Sequence, residues 1–205
     1  MKTILVCNQK GGVGKSLVAD EIAFSFERSG IPVSFYDLDA QGGTLHRTQE
    51  ADGAEVAVVD TPGALQEALS EWLREADVVV IPPRTTSRDI EPLMRMRKAV
   101  FKHSRAKIVY VMNGWNRFKA SRDFMEWFGG LAGDQTVVTL PQSEAFVQAC
   151  PWSSSTAGAR PRGRRVPWWT RCARLRGSRE NNRRSEPYSV WTNRGTRCII
   201  VQMRK

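Results

Sequence analysis

No long apolar run occurs in this chain, and it holds few of the residue types that staple or metallate small proteins. No stretch of its 205 residues approaches the roughly 18 consecutive apolar residues of a membrane span, so no membrane partner is expected. The amino terminus enters the apolar segment Ile4-Leu5-Val6-Cys7 at once, which leaves no room for a signal peptide. Four cysteines without Cys-x-x-Cys spacing give neither a disulfide framework nor a zinc site. The two histidines, His46 and His103, have no partners at ligand spacing, and both are expected at the surface. These absences leave a cytoplasmic protein with one domain of ordinary size as the default.

Charge is present but uneven. The net charge of +10 invites a nucleic-acid reading, yet residues 1–149 carry 17 Lys+Arg against 19 Asp+Glu, a net of −2. Residues 150–205 carry 14 against 2, a net of +12. All the excess lies in the last quarter, and such a shift marks a boundary. The expected division is a domain over 1–149 and an arginine-rich tail over 150–205.

Within 1–149, short apolar runs alternate with helical stripes. Runs at 3–8, 33–36, 56–59, 78–81, 108–112 and 136–140 read as six buried strands. A first helical pattern begins at Leu17 and places Val18, Ile22 and Phe26 on one face; Gly30 and Pro32 stop it. Leu65, Leu69, Trp72 and Leu73 form a second stripe. Ile90, Leu93, Met94, Val100 and Phe101 form a third, with the Arg97 stem along its face. Phe124, Trp127, Phe128 and Leu131 form a fourth. This alternation predicts an α/β fold, a doubly wound parallel sheet with helices on both faces. Ligands on such sheets bind at the carboxyl ends of the strands.

The loop after the first strand reads Lys10-Gly11-Gly12-Val13-Gly14-Lys15-Ser16. Strand, glycine loop, Lys-Ser and helix make a phosphate-binding P-loop. Glycines let successive N–H groups turn inward on a polyanion, and the helix amino end adds partial positive charge. Lys15 is placed to reach the β- and γ-phosphates, and Ser16 to hold Mg²⁺. Asp60 ends an apolar strand before Thr61-Pro62-Gly63, the arrangement of an acid that binds Mg²⁺ through water. Asp37 and Asp39, two apart at the end of the second strand, are expected to point the same way.

Lysines on both sides of Gly-Gly-x-Gly resemble the deviant Walker A motif of the ParA/MinD class of P-loop ATPases. The resemblance covers roughly residues 1–149. It implies ATP and Mg²⁺ as ligands, with Gly11, Gly12, Val13, Gly14, Lys15, Ser16 and Leu17 around the nucleotide. It implies that Lys10 reaches across a nucleotide-sandwich homodimer to the partner's phosphates. Asp37-Leu38-Asp39-Ala40-Gln41 is similar to the family's Asp-x-Asp-Pro-Gln, with Ala40 in place of proline. By that likeness Asp39 activates the attacking water and Asp37 lies near the metal. Asn113 is implied at the adenine edge, and Pro141 with the residues after it at a second adenine loop. Pro82 to Asp89 resembles the stretch that senses nucleotide at the dimer face. The segment between Asp39 and Asp60 is shorter than in most relatives.

The resemblance further implies a nucleoid-associated partition ATPase. Its ATP-bound dimer binds DNA non-specifically, and a ParB-type partner stimulates its hydrolysis. Three other readings share some features. A MinD-like membrane-associated ATPase needs an amphipathic carboxyl-terminal helix, which the tail does not show. An ATP-independent nucleic-acid binder would act through the arginine tail. A metabolic P-loop ligase or kinase would share the fold, but no motif names a small substrate.

The tail has its own composition, with 13 arginines to one lysine and three of the four cysteines. It shows no helical stripe, and no strand pattern before residues 198–201, so an irregular or disordered tail is one expectation. A frameshift is another. Read from the third base of the Ala149 codon, Cys150 to Thr156 recodes to an apolar strand pattern if the serines use TCN codons. Relatives carry a core strand there, before a last helix. Losing both would expose apolar surface and weaken the fold. A shifted frame that meets a stop at once, or lacks a helical stripe, removes the idea.

Overall fold

A computed structural model describes residues 1–63 and 68–142, and the backbone alone of 188–190 and 201–203. The elements run β1 (Lys2–Val6), α1 (Lys15–Arg28), β2 (Val33–Asp37), β3 (Val56–Asp60), α2 (Leu69–Glu75), β4 (Val78–Ile81), a 3-10 turn (Ser87–Asp89), α3 (Ile90–His103), β5 (Lys107–Trp115), α4 (Lys119–Ala132) and β6 (Thr136–Pro141). The last two strands, β7 (Tyr188–Val190) and β8 (Val201–Met203), pair with each other antiparallel. Leu65 and residues 143–149 lie outside the described residues, as do the frameshift reading and most of the tail.

Six strands form one parallel sheet in the order β2-β3-β1-β4-β5-β6. Alternation along each strand splits the core into two layers. Ile4, Val6, Phe35, Val58 and Val80 face α1, which presents Val18, Ile22 and Phe26. Leu5, Cys7, Val79, Ile81, Tyr110 and Met112 face the opposite way, onto Leu73 of α2, Leu93 and Met96 of α3, and Phe124 and Phe128 of α4. Both faces are covered, which is why the strands read as unbroken apolar runs. β3 lies beside β1, and β4 lies on its other side, so chain direction across the sheet reverses next to β1. The crevice above that reversal is where a doubly wound sheet takes its ligand.

Several boundaries differ from the sequence pattern, β1 closing at Val6 rather than at residue 8, and three of them bear on the site. α1 starts at Lys15 rather than Leu17, because Gly14 (φ 92°) ends the loop and Lys15 and Ser16 form the first turn without apolar content. β5 runs on to Trp115, with an irregularity between Asn113 and Trp115 where it meets β6. β2 stops at Asp37, so Asp37 and Asp39 do not share a strand face. Leu38 N–H still reaches the Asp60 carbonyl (3.0 Å), and the chain then turns away.

Candidate functional site

The loop after β1, the end of β2 and the turn after β3 converge on one cavity of about 650 Å³. Its wall includes Gly11, Gly12, Gly14, Lys15 and Ser16 on one side, Asp39, Gln41 and Gly42 on another, and Pro62 and Gly63 on a third. Val13 is fully buried and anchors the loop, while Gly11 and Gly12 are exposed. Leu17 packs against the α1 core layer.

Lys15 is 7% exposed. Its ammonium lies close to Gly63, where an added Cβ would stand 3.5 Å from Nζ. It forms no ion pair or hydrogen bond among the described residues. A buried cation left this way is costly unless an anion enters beside it.

Asp60 is the complementary group. It is fully buried at the end of β3, and neither carboxylate oxygen has a hydrogen-bond partner. Burial pushes its carboxyl up to about 6; the nearby Ser16 hydroxyl and Lys15 ammonium oppose the rise, and Asp37 and Asp20 add to it. An orphaned acid between a serine hydroxyl and a second acid suits a hydrated divalent cation. No three acidic, histidine or cysteine side chains gather as a protein-only metal cage among the described residues. Mg²⁺ keeps several waters and takes further ligands from phosphate, so it asks for few protein ligands. Ser16 and Asp60 are the residues fitted to hold it. The Asp37 carboxylate accepts from Asp39 N–H (3.0 Å) and lies 2.6 Å from the Thr44 hydroxyl.

A pH prediction follows from Asp60. A carboxyl whose folded pKa is raised holds its proton more tightly in the folded state, so the nucleotide-free chain loses stability as pH rises from about 4 to about 6. Asp60→Asn removes that loss and is expected to stabilise the nucleotide-free chain at pH 7.5 by roughly 1–3 kcal/mol, read by thermal melts across pH. The same substitution is expected to abolish the Mg²⁺ dependence of nucleotide binding. In the parent, that dependence should weaken below about pH 6.

Asn113 is placed against the loop. Its side-chain amide donates to the Val13 carbonyl at 2.8 Å, and its backbone N–H donates to Pro83 (2.8 Å). A Cβ on Gly14 would stand 2.2 Å from that amide nitrogen, and Gly14 has φ +92°. Gly14→Ala is therefore strained and crowded at once. We expect a loss of about 1–2 kcal/mol or more in folding stability, measured by urea unfolding, with weaker nucleotide binding. Pro141 closes β6 at the surface, paired with Trp115.

Lys10 turns back on its own chain. Its Nζ is 3.0 Å from Asp89 Oδ1 and 3.4 Å from the Arg88 carbonyl oxygen. Asp89 is 2% exposed and also accepts from the Thr86 hydroxyl. Asn8, buried beneath the loop, takes Lys10 N–H on Oδ1 (3.1 Å) and donates from Nδ2 to the Pro82 carbonyl (3.0 Å). The Pro82–Asp89 stretch is thus tied to the phosphate loop at two points.

The surface placement expected of His46 is overturned. His46 is a buried residue, not a surface one. Its ring lies between Phe24 and Phe35, and its Nδ1 is 2.6 Å from Asp20 Oδ1. Asp20 interrupts the apolar stripe of α1 with a charge, and that signal was available in the sequence.

The model of the CobQ/CobB/MinD/ParA nucleotide-binding domain matches residues 4–150. The chain belongs to this family. Among curated relatives, IncC of Escherichia coli is 42% identical over 50 residues, which is 24% of this chain and 14% of that protein. ParA of Rhizobium radiobacter is 27% identical over 115 residues, 43% of this chain and 51% of that protein. The chain thus matches about half the length of ParA and a smaller part of IncC. Solved structures share the fold. Apo McdA from Cyanothece has a TM-score of 0.63 at 16% identity, covering 74% of this chain and 90% of McdA. Cobyrinic acid a,c-diamide synthase from Mycobacterium smegmatis, with ADP and magnesium, has 0.59 at 17%, covering 75% and 96%. pNOB8 ParA bound to nonspecific DNA has 0.50 at 14%, covering 69% and 85%. Proteins of this ParA/MinD family are P-loop nucleotide-binding proteins, and the parallel six-stranded sheet described above is their fold.

Proposed function

We propose that this chain binds Mg-ATP and hydrolyses it as a partition-type ATPase. The observation that carries the reading is a buried ammonium without an ion pair, Lys15, on the wall of one glycine-lined cavity, with the buried, unpartnered carboxylate of Asp60 near it. A triphosphate with its Mg²⁺ satisfies both. The solved relative with bound ADP and magnesium supports that choice of ligand. Lys15 and the loop amides bind the β- and γ-phosphates, while Ser16 and Asp60 hold the metal, with Asp37 near it. Asp39, on the cavity wall, orients the attacking water. Catalysis is positioning and neutralisation of charge on the transferred group. Asn113 and Pro141 flank the base.

Two ATP-loaded copies close face to face, and Lys10 of each completes the other's phosphate site. The dimer binds DNA non-specifically, a ParB-type partner stimulates hydrolysis, and the copies separate. The solved pNOB8 ParA bound to nonspecific DNA supports the DNA-binding step. No helix among the described residues is long and apolar enough to cross a membrane.

The test is ATP hydrolysis by the purified chain with and without DNA, and DNA binding with and without ATP. ATP-stimulated DNA binding with measurable turnover is expected. DNA binding that ignores ATP, and disappears when residues 150–205 are removed, would replace this reading with a nucleic-acid binder acting through its arginines.

A further inference from the structure

The connection from β2 to β3 carries a buried polar cluster that the nucleotide chemistry does not use. Asp20 of α1, 4% exposed, takes three donors from it. Leu45 N–H lies at 2.8 Å, His46 N–H at 3.0 Å and His46 Nδ1 at 2.6 Å. The imidazole is held between Phe24 (centroids 4.1 Å apart) and Phe35 (4.9 Å, interplanar angle 20°). Its Nε2 is 3.3 Å from Glu27 Oε1.

The other end of the same segment is the cavity wall. Asp39 Oδ1 accepts from Gln41 N–H (3.0 Å), and the Asp39 carbonyl from Gly42 N–H (2.8 Å). Gly43 backs onto Ser16, where a Cβ would stand 3.3 Å from the hydroxyl oxygen. The Thr44 hydroxyl lies within 2.6 Å of Asp37 Oδ2 and 2.8 Å of the His46 carbonyl oxygen. Wall, acid and anchor are therefore joined through one short stretch.

We propose that His46 is a positioning residue: it pins segment 39–46, which walls the phosphate cavity, onto the helix that begins with Lys15 and Ser16. This rests on the ATPase reading above. A hydrophobic plug would need only a ring at position 46. An imidazole N–H on a buried carboxylate instead sets the ring's orientation, and protonation of the ring strengthens the contact. The charged groups facing the ring are Asp20 and Glu27 from α1, with Asp37 reached from the end of β2 through Thr44. Burial pulls the imidazole's pKa down, but the Asp20 hydrogen bond and charge, with Glu27, outweigh it and the net shift is upward. Below about 6.5 the ring is charged and has N–H groups toward both Asp20 and Glu27; as pH rises through the raised value it keeps the Nδ1–H toward Asp20 and loses the charge that strengthens that contact.

His46→Phe keeps an aromatic ring between Phe24 and Phe35 but donates nothing. His46→Asn supplies an N–H near the Nδ1 position and does not titrate. We expect His46→Phe to bind Mg-ATP within about threefold of the parent and to slow single-turnover hydrolysis by at least about tenfold. His46→Asn should recover most of that rate at pH 7, and any weakening of the parent's rate above the imidazole pKa followed by NMR should be absent from it. Unchanged hydrolysis in His46→Phe, equal loss of binding and rate, or no rescue by His46→Asn would each overturn the proposal. If the parent hydrolyses no ATP, the ATPase reading fails. The anchor is then judged on nucleotide-free hydrogen exchange: His46→Phe must speed exchange across 39–46, and unchanged protection overturns it.

Discussion

Replacing Lys15 by alanine is expected to abolish Mg-ATP binding while leaving the nucleotide-free fold intact. The ammonium is buried without an ion pair or hydrogen bond among the described residues, so its removal takes from the empty site only its attraction to the nearby Asp60 carboxylate. The desolvation cost it imposes on the folded state disappears with it and offsets that loss, so the melting temperature should change little. With nucleotide the loss is large. Two charge-assisted hydrogen bonds to phosphate oxygens are worth about 1.5–3 kcal/mol each, which corresponds to at least about a hundredfold in Kd. Calorimetric titration of Lys15→Ala beside the parent checks this, with thermal melts on the same samples. Binding retained within threefold would show that the cavity does not hold its ligand through Lys15. A fall in nucleotide-free stability would show that the ammonium has a structural partner.

The sheet was legible because burial on both faces leaves little room for polar residues. Val78-Val79-Val80-Ile81 is buried at every position, and such a run has few alternatives to a central parallel strand. The P-loop was legible because its glycines, lysine and serine are consecutive. What sequence could not show is pairing over distance. Lys10 meets Asp89 across 79 positions, and His46 meets Asp20 across 26. Asp20 stands out as a charge in an apolar stripe, but nothing local names what it meets. Asp89 sits in a polar turn, and the segment carrying His46 is otherwise exposed over residues 47–50. Strand alternation does not place Asp39 relative to Asp37, because β2 gives up its ladder at Asp37. Asp39 reaches the cavity through a turn instead.

The Lys10–Asp89 contact predicts a pair of substitutions with opposite effects on dimer formation. A lysine held by its own chain must be released before it can reach a partner's phosphates, so the ion pair opposes closure. Lys10 is partly exposed, and a pair of that kind is worth about 1 kcal/mol at most. Each of two copies gives up its own pair, so the cost counts twice. About 2 kcal/mol corresponds to roughly thirtyfold in the dimerisation constant. Asp89→Asn keeps the shape and a partner for the Thr86 hydroxyl but loses the charge. It should therefore tighten the ATP-dependent dimer by up to that factor, measured by analytical ultracentrifugation with a non-hydrolysable ATP analogue. Lys10→Ala should bind ATP within about threefold of the parent, yet lose dimerisation and turnover, because the second phosphate contact is gone. In the double variant, Asp89→Asn should have no effect, since the lysine it releases is absent; contacts that act only through each other are non-additive in this way. Two results would contradict the account. One is loss of ATP binding in Lys10→Ala equal to that in Lys15→Ala, which would place both lysines on the same copy's nucleotide. The other is a weaker dimer in Asp89→Asn, which would mean that Asp89 supports Lys10 in the closed state rather than holding it back.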